Sequence, residues 1–226
     1  MMGRCIVAGG NPAMKAPTTG ILLGDIAEGS IVKLNENSSP VEFYVAKHDY
    51  ESSLNGAGRT LLVRKETYGS GAFADSYNVY PGETQDVFLN TTYKALHEQW
   101  VQELMGETIF EYVQGENSGA ILTTARSVFA PSSHEVRQYT GGGGEYIPVF
   151  ATICAGISGT TWTRSSYYFS TGGGANFTYA YRFSYSNGSV GVGNSSASTT
   201  WQYLPMFTLP ATALFDEETS VLKGVA

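Results

Sequence analysis

The side chains able to do covalent or metal chemistry are few in this chain and poorly spaced for it. Histidines stand at His48, His97 and His134, and cysteines at Cys5 and Cys154. None forms the close pairs a tetrahedral zinc site requires, and no Gly-x-Ser-x-Gly turn presents a nucleophile. The histidines read as solvated or core-edge residues. The cysteines, far apart in sequence, read as free buried thiols, with a disulfide as the alternative. The glycine run from Gly141 to Gly144 would cradle phosphate only if a strand preceded it and a helix opened just after it. Pro148 follows instead, so the run reads as a loop tip. The expectation is a protein that is not an enzyme, with no catalytic residues, no metal and no cofactor.

Recognition chemistry is another matter. Between Ser165 and Tyr203 the chain is built almost wholly from Ser, Gly, Tyr, Thr, Phe, Asn and Ala, with Arg182 as its only charge. A buried core is made from Leu, Ile and Val, and a solvated linker from charge or Pro, so a tract both aromatic and nearly uncharged fits neither. Antibody paratopes use this alphabet: Tyr gives a large amphipathic contact with few torsions, and Ser, Gly and Asn hydrogen-bond adaptably. The contacts expected from this tract are Tyr167, Tyr168, Phe169, Asn176, Phe177, Arg182, Tyr185, Asn194, Ser196 and Thr199. Aromatics would anchor and the small polar side chains would tune hydrogen bonds.

The elements that must hold this surface are readable in part. A chain of 226 residues, 42% hydrophobic, can bury a substantial core as one domain. A net charge of −7 without clustered Lys or Arg argues against a nucleic-acid groove. No apolar run approaches bilayer length, so no membrane insertion is expected. Residues 1–19 carry Gly9-Gly10-Asn11-Pro12 and Pro17, which break regular structure, and read as an attachment arm. Ser30 to Leu34 and Val41 to Ala46 alternate around a polar turn and predict a hairpin, and Leu61 to Arg64 predicts a short buried strand. Leu89, Tyr93, Leu96, Trp100 and Leu104 recur at spacings of three and four, predicting one apolar stripe on a helix ended by Gly106, with Lys94, His97, Glu98 and Gln102 facing water. Ser132 and Glu135 have capping-box spacing. Phe177 to Tyr185 alternate aromatic with small or polar residues, and Asn187-Gly188 is a strong type I′ hairpin signal, with Ser189 to Val192 as the return strand.

With Trp162-Thr163-Arg164-Ser165 at one end and Leu204-Pro205-Met206-Phe207-Thr208-Leu209-Pro210 at the other, the chain resembles a family of phage, prophage and gut-bacterial proteins of the C-type-lectin fold. Members read W-[LT]-R-S-P, then a Tyr-Ala-aromatic strand with an Asn-Gly or Ser-Gly turn, then G-V-R-P-A-[FL]-x-L. The order of further segments agrees: Gly29 to Val45 as the opening hairpin, Val87 to Tyr93 as a helix start, Val128-Phe129 with Ser132 to Glu135, and Tyr146 to Phe150. Two positions depart from the pattern. Ser166 stands where the family has Pro, and Leu204 where it has Arg, so a polar contact of the family is missing or replaced there.

The resemblance implies an α+β, C-type-lectin-like fold: a small twisted antiparallel sheet, one main helix and a loop-rich C-terminal half. It divides the chain into the arm at 1–19, a domain at 20–215 with a variable ligand-binding region at 165–200, and a C-terminal tail at 216–226. Relatives include variable proteins of diversity-generating retroelements, in which template adenines are randomised. A randomised Asn codon ending in a pyrimidine never yields Lys, Glu, Gln, Met or Trp, and the stretch from Ser165 to Thr200 contains none of them. Trp162, Trp201, Gln202, Val190, Pro205 and Phe207 are then framework. The function implied is a phage tail or receptor-binding protein, located on the virion or on a bacterial cell surface. Its partners would be a bacterial cell-surface protein or glycan, other virion subunits, and its own copies in a homotrimer or higher oligomer. The alternative is a structural virion protein, a fibre tip or capsid decoration, using the same surface between subunits.

Overall fold

The structure is a computed structural model that describes residues 19–75, 79–114, 119–139, 143–167, 170–171, 174–175 and 179–226. Apart from Thr19, the expected arm lies outside these residues, and so does Cys5. The architecture is mixed α+β, with several mostly antiparallel sheets and short helices.

In chain order, β1 (Ile21–Leu22) precedes the hairpin of β2 (Ile31–Glu36) and β3 (Ser39–His48). Then come α1 (Ser52–Asn55), β4 (Arg59–Arg64), β5 (Ser70–Gly71), α2 (Thr84–Phe88) and α3 (Gln99–Met105). A ribbon of β6 (Thr108–Val113) and β7 (Ile121–Arg126) is followed by α4 (Ser133–Arg137), α5 (Phe150–Gly156) and β8 (Thr160–Ser166). The C-terminal part holds β9 (Ser170–Thr171), β10 (Gly174–Ala175), β11 (Tyr179–Ser186), β12 (Ser189–Ser196), β13 (Trp201–Gln202), β14 (Met206–Pro210), β15 (Ala213–Phe215) and β16 (Leu222–Val225).

Two sheets carry the architecture. The first runs β14-β4-β3-β2, and every ladder in it is antiparallel. Leu61, Leu62 and Val63 of β4 are all fully buried, so this strand is covered on both faces. The β2–β3 turn is shorter than expected: Asn37 and Ser38, at φ 47° and 65°, form a two-residue connection. The second sheet runs β12-β11-β8-β13-β5 and carries the tract. Trp162 of β8 fastens it to the core, fully buried, edge-on to Phe73 and donating from Nε1 to the Gly71 carbonyl at 3.0 Å. Residues 216–226, expected as a tail, instead carry β16, which pairs with β15 and buries Leu222.

The single helix expected from Leu89 to Leu104 is two pieces. After α2 the chain makes a π turn (Leu89–Tyr93) and a 3-10 turn (Lys94–Leu96), extends at His97, and restarts as α3, which ends at Gly106. The break has a local cause. Leu96 gives its carbonyl to the Asn37 N–H in the β2–β3 turn at 2.7 Å, and His97 points inward rather than to water. Its ring packs against Phe43, Tyr93 and Phe207, and Nδ1–H donates to the Asn35 carbonyl at 3.1 Å. Nε2 is buried without a partner.

Burial lowers the His97 pKa below its ordinary 6.5, outweighing the opposing pull of Glu36. The unfolded chain therefore takes up a proton before the folded one does as pH falls through that value. The stability contributed by neutral His97 is full above pH 6.5 and declines below it. Urea unfolding at about pH 7.5 and about pH 5.5 is expected to show that decline, and His97→Gln is expected to flatten it.

Candidate ligand-binding surface

The tract is attached through a buried charge. Arg164 of β8 is 0% exposed and grips Glu135 of α4 with both ends of its fork, Nη1 to Oε2 and Nη2 to Oε1, each at 2.7 Å. Its remaining donors reach the Glu111 carbonyl (3.0 Å), the Ala130 carbonyl (2.8 Å) and Tyr50 Oη (3.3 Å), while Phe110 and Phe129 lie against the guanidinium. Glu135 is equally saturated: Tyr50 donates to it at 2.5 Å and the Ser132 N–H at 2.7 Å, the latter as part of the expected capping box. Burial alone would lower the Arg164 pKa, but the Glu135 carboxylate reverses the direction and holds it above its ordinary value. Burial likewise raises Tyr50, so its hydroxyl stays protonated as a donor.

Gly141 and Gly142 lie outside the described residues, but the end of that run is no loop tip. The buried Gly143 carbonyl accepts from Ser132 Oγ at 2.7 Å, and Gly144 donates to Glu111 Oε2 at 2.9 Å. At φ +76° a Cβ on Gly144 would stand 2.9 Å from Glu135 Oε1, so only glycine lets the chain pass this pair.

Beyond Ser166 the burial pattern changes. From Thr161 to Ser166 every residue is buried, whereas from Tyr179 to Thr200 only Ala180, Tyr181, Phe183, Val190 and Ala197 are. Asn187 and Gly188 turn the chain at φ 52° and 76°, as type I′ geometry requires, and β12 runs on to Ser196, past the expected end of the return strand. Residues directly opposite share a face: Tyr179 with Ser196, Tyr181 with Asn194, Phe183 with Val192, and Tyr185 with Val190. This face lies against α4 and α5 through Phe183 and Val190. At its far end four phenol rings gather. Tyr181 touches Tyr139 at 5.1 Å between ring centroids and Tyr167 at 5.2 Å, and Tyr167 meets Tyr179 at 6.5 Å. Burial and its phenolic neighbours push the Tyr181 hydroxyl up to about 12, so it remains uncharged.

The structure brings some of the expected contacts together and separates others. Tyr167 belongs to the phenol cluster, and Asn194 (exposed) and Ser196 (half-buried) stand opposite two of its members. Ser196 also shares a hydrogen bond with Ser198 Oγ at 3.0 Å and accepts the Thr199 N–H on its carbonyl at 2.9 Å, placing Thr199 in the adjoining turn. Tyr185 is half-buried at the other end of the hairpin, packed against the core beside Val190. Arg182 is on the opposite face, which it shares with Gly193 and Trp162, and its guanidinium lies over the Trp201 ring at 5.8 Å. Tyr168, Phe169, Asn176 and Phe177 lie outside the described residues.

Sequence reasoning passed over Tyr139, Tyr179 and Tyr181. The last two belong to the alternating row that predicted the strand; Tyr139, just after α4, carries no local signal beyond being a large exposed aromatic. Ser166, at the family's proline position, is buried with Oγ unpartnered, and Leu204, at its arginine position, sits in the apolar core. Val190, Pro205 and Phe207 are buried. Cys154 is a free, buried thiol whose pKa burial raises to about 12. Among the described residues no group of three or more His, Cys, Asp or Glu is placed to hold a metal ion, and no helix is long and apolar enough to cross a membrane.

A scan against protein-family models, a search of curated proteins and a search of solved structures each returned no match.

Proposed function

We propose that this chain is a non-enzymatic ligand-binding display protein with a C-type-lectin-like fold, a phage tail or receptor-binding protein whose 165–200 surface meets a bacterial surface target. One observation carries the reading. A framework locked by Trp162 and the Arg164–Glu135 pair presents a hairpin most of whose side chains are at least partly exposed, with a cluster of phenols at one end. Side chains that the core does not use are the ones that can be exchanged to suit a ligand. Tyrosines in contact with one another lose little further conformational freedom on binding. Several copies on one particle would raise a weak single-site affinity by roughly 10²–10⁴-fold.

The test is binding of the purified chain to bacterial cells, followed by fluorescence, for the parent and for Tyr139→Ala and Tyr179→Ala. Each substitution is expected to weaken binding by about tenfold, the scale of an aromatic hot spot, while leaving the melting temperature within a few degrees. If both variants bind cells like the parent but change its oligomeric state, the surface serves subunit contacts, and the display reading gives way to the structural virion protein.

A further inference from the structure

With one exception the buried and half-buried arginines of this fold are well supplied with acceptors, and Arg137, which has none among the described residues, is exposed. Arg64 holds Glu36, Arg126 holds Asp86, Arg164 holds Glu135, and Arg59 donates to Thr208 and to the Leu104 and Met105 carbonyls. Arg182 differs. It is half-buried, its Nε is sealed from solvent without a partner, and among the described residues no oxygen accepts from its guanidinium. The side chain is held over Trp201, whose own Nε1 is also buried and unpartnered. The buried Nε–H without an acceptor is costly, while the two Nη groups, not sealed as Nε is, stay open to a partner from outside the chain.

Among the described residues the ground beside it is low. Across the β11–β12 ladder Arg182 faces Gly193, where a Cβ would come within 3.8 Å of its Nη2, and Ser184 faces Gly191. The β12 residues directly opposite Arg182 and Ser184 therefore put no side chain beside the fork on this face. A ligand can lie on the half-buried backbone of this shelf, beside an indole that fixes where the guanidinium sits.

We propose that Arg182, seated on Trp201 beside the Gly191–Gly193 shelf, is the anchor for a carboxylate carried on a sugar ring. It rests on the display reading above and names the ligand chemistry of that surface. A single positive charge favours a carboxylate over a phosphate. Arg182 is the only charged side chain between Ser165 and Tyr203 in a chain of net charge −7, so one positive charge is on offer, and a planar fork matches a planar carboxylate in two parallel bonds. A sugar ring fits a flat shelf of backbone and small side chains next to an aromatic edge.

The experiment uses the full chain labelled with ¹⁵N-arginine, with the Arg182 Nε–H signal assigned by its loss in Arg182→Lys. Titration with glucuronate is expected to shift that signal saturably, and glucose is expected to leave it in place. Arg182→Gln should weaken glucuronate binding by roughly tenfold or more, and Trp201→Leu by roughly threefold. No saturable shift, or glucuronate binding unimpaired in Arg182→Gln, overturns the anchor. A response to inorganic sulfate as strong as that to glucuronate overturns the carboxylate assignment. The two readings fail separately. If Tyr139→Ala loses cell binding while Arg182 ignores glucuronate, the display role stands and the anchor falls. If Arg182 titrates while the parent chain binds no cells, the display role falls and the carboxylate site stands.

Discussion

Arg164→Met is expected to cost about 3–5 kcal/mol of unfolding free energy, measured by guanidinium denaturation. The charge it leaves behind sets the size of the effect. Glu135 is 0% exposed, and without Arg164 it keeps only the Tyr50 hydroxyl and the Ser132 N–H, too little to hold an ionised carboxylate out of water. A domain stable by about 5–15 kcal/mol would lose a fifth of that or more. Glu135→Leu should cost a similar amount for the converse reason. The double variant Arg164→Met/Glu135→Leu should cost clearly less than the two singles added, because no unpaired charge remains. Additive costs would show the pair to be uncoupled and the account of β8 anchoring wrong. The pair joins α4 to the strand that leads into the tract, so losing it should also loosen the 165–200 surface as a whole.

Phe183→Ala should be nearly as damaging, about 3–5 kcal/mol, although it lies inside the region proposed to vary. Phe183 is 1% exposed, in the core beneath the hairpin, whereas Asn194, towards the far end of β12, stands in solvent. Asn194→Tyr and Thr199→Ala are expected to stay within about 0.5 kcal/mol of the parent. The contrast bears on the display reading. Variation can be free at positions such as Arg182, Asn194, Ser196 and Thr199, but must be confined at Ala180, Tyr181, Phe183, Val190 and Ala197, which the core uses. Equal tolerance at Phe183 and Asn194 in urea unfolding would show that the hairpin contributes nothing to the core.

What could be foreseen from sequence was local chemistry. The β2–β3 hairpin, the Ser132–Glu135 capping box and the Asn187-Gly188 turn each depend on a few neighbouring residues whose conformational preferences agree. The interactions that fasten the second sheet to the rest were invisible for the opposite reason. Tyr50, Glu135 and Arg164 meet across 85 and 114 residues of chain, and nothing in their immediate surroundings marks them as partners. A faint signal existed at Arg164, the one charge in a strand with no polar alternation; a cation in such a setting needs a buried acid. The helix was misread because apolar spacing runs on from Leu89 to Leu104 across a break that His97 and the distant Asn35 and Asn37 impose. Periodicity records which side chains face inward. It does not record whether the backbone between them stays helical.

The position of β12 carries one more consequence. Among the described residues it closes one side of its sheet, with β11 as its sole neighbour there, which leaves a row of main-chain amides and carbonyls unpaired by them. Its sequence, Ser189 to Ser196, has two glycines and three serines, weak strand formers that make the open row a poor template for a second chain. A repertoire rich in Ile, Val or Tyr at those sites would recruit further chains edge to edge. Self-assembly into insoluble ribbons, rather than loss of the native fold, would then limit how far this strand can be rewritten.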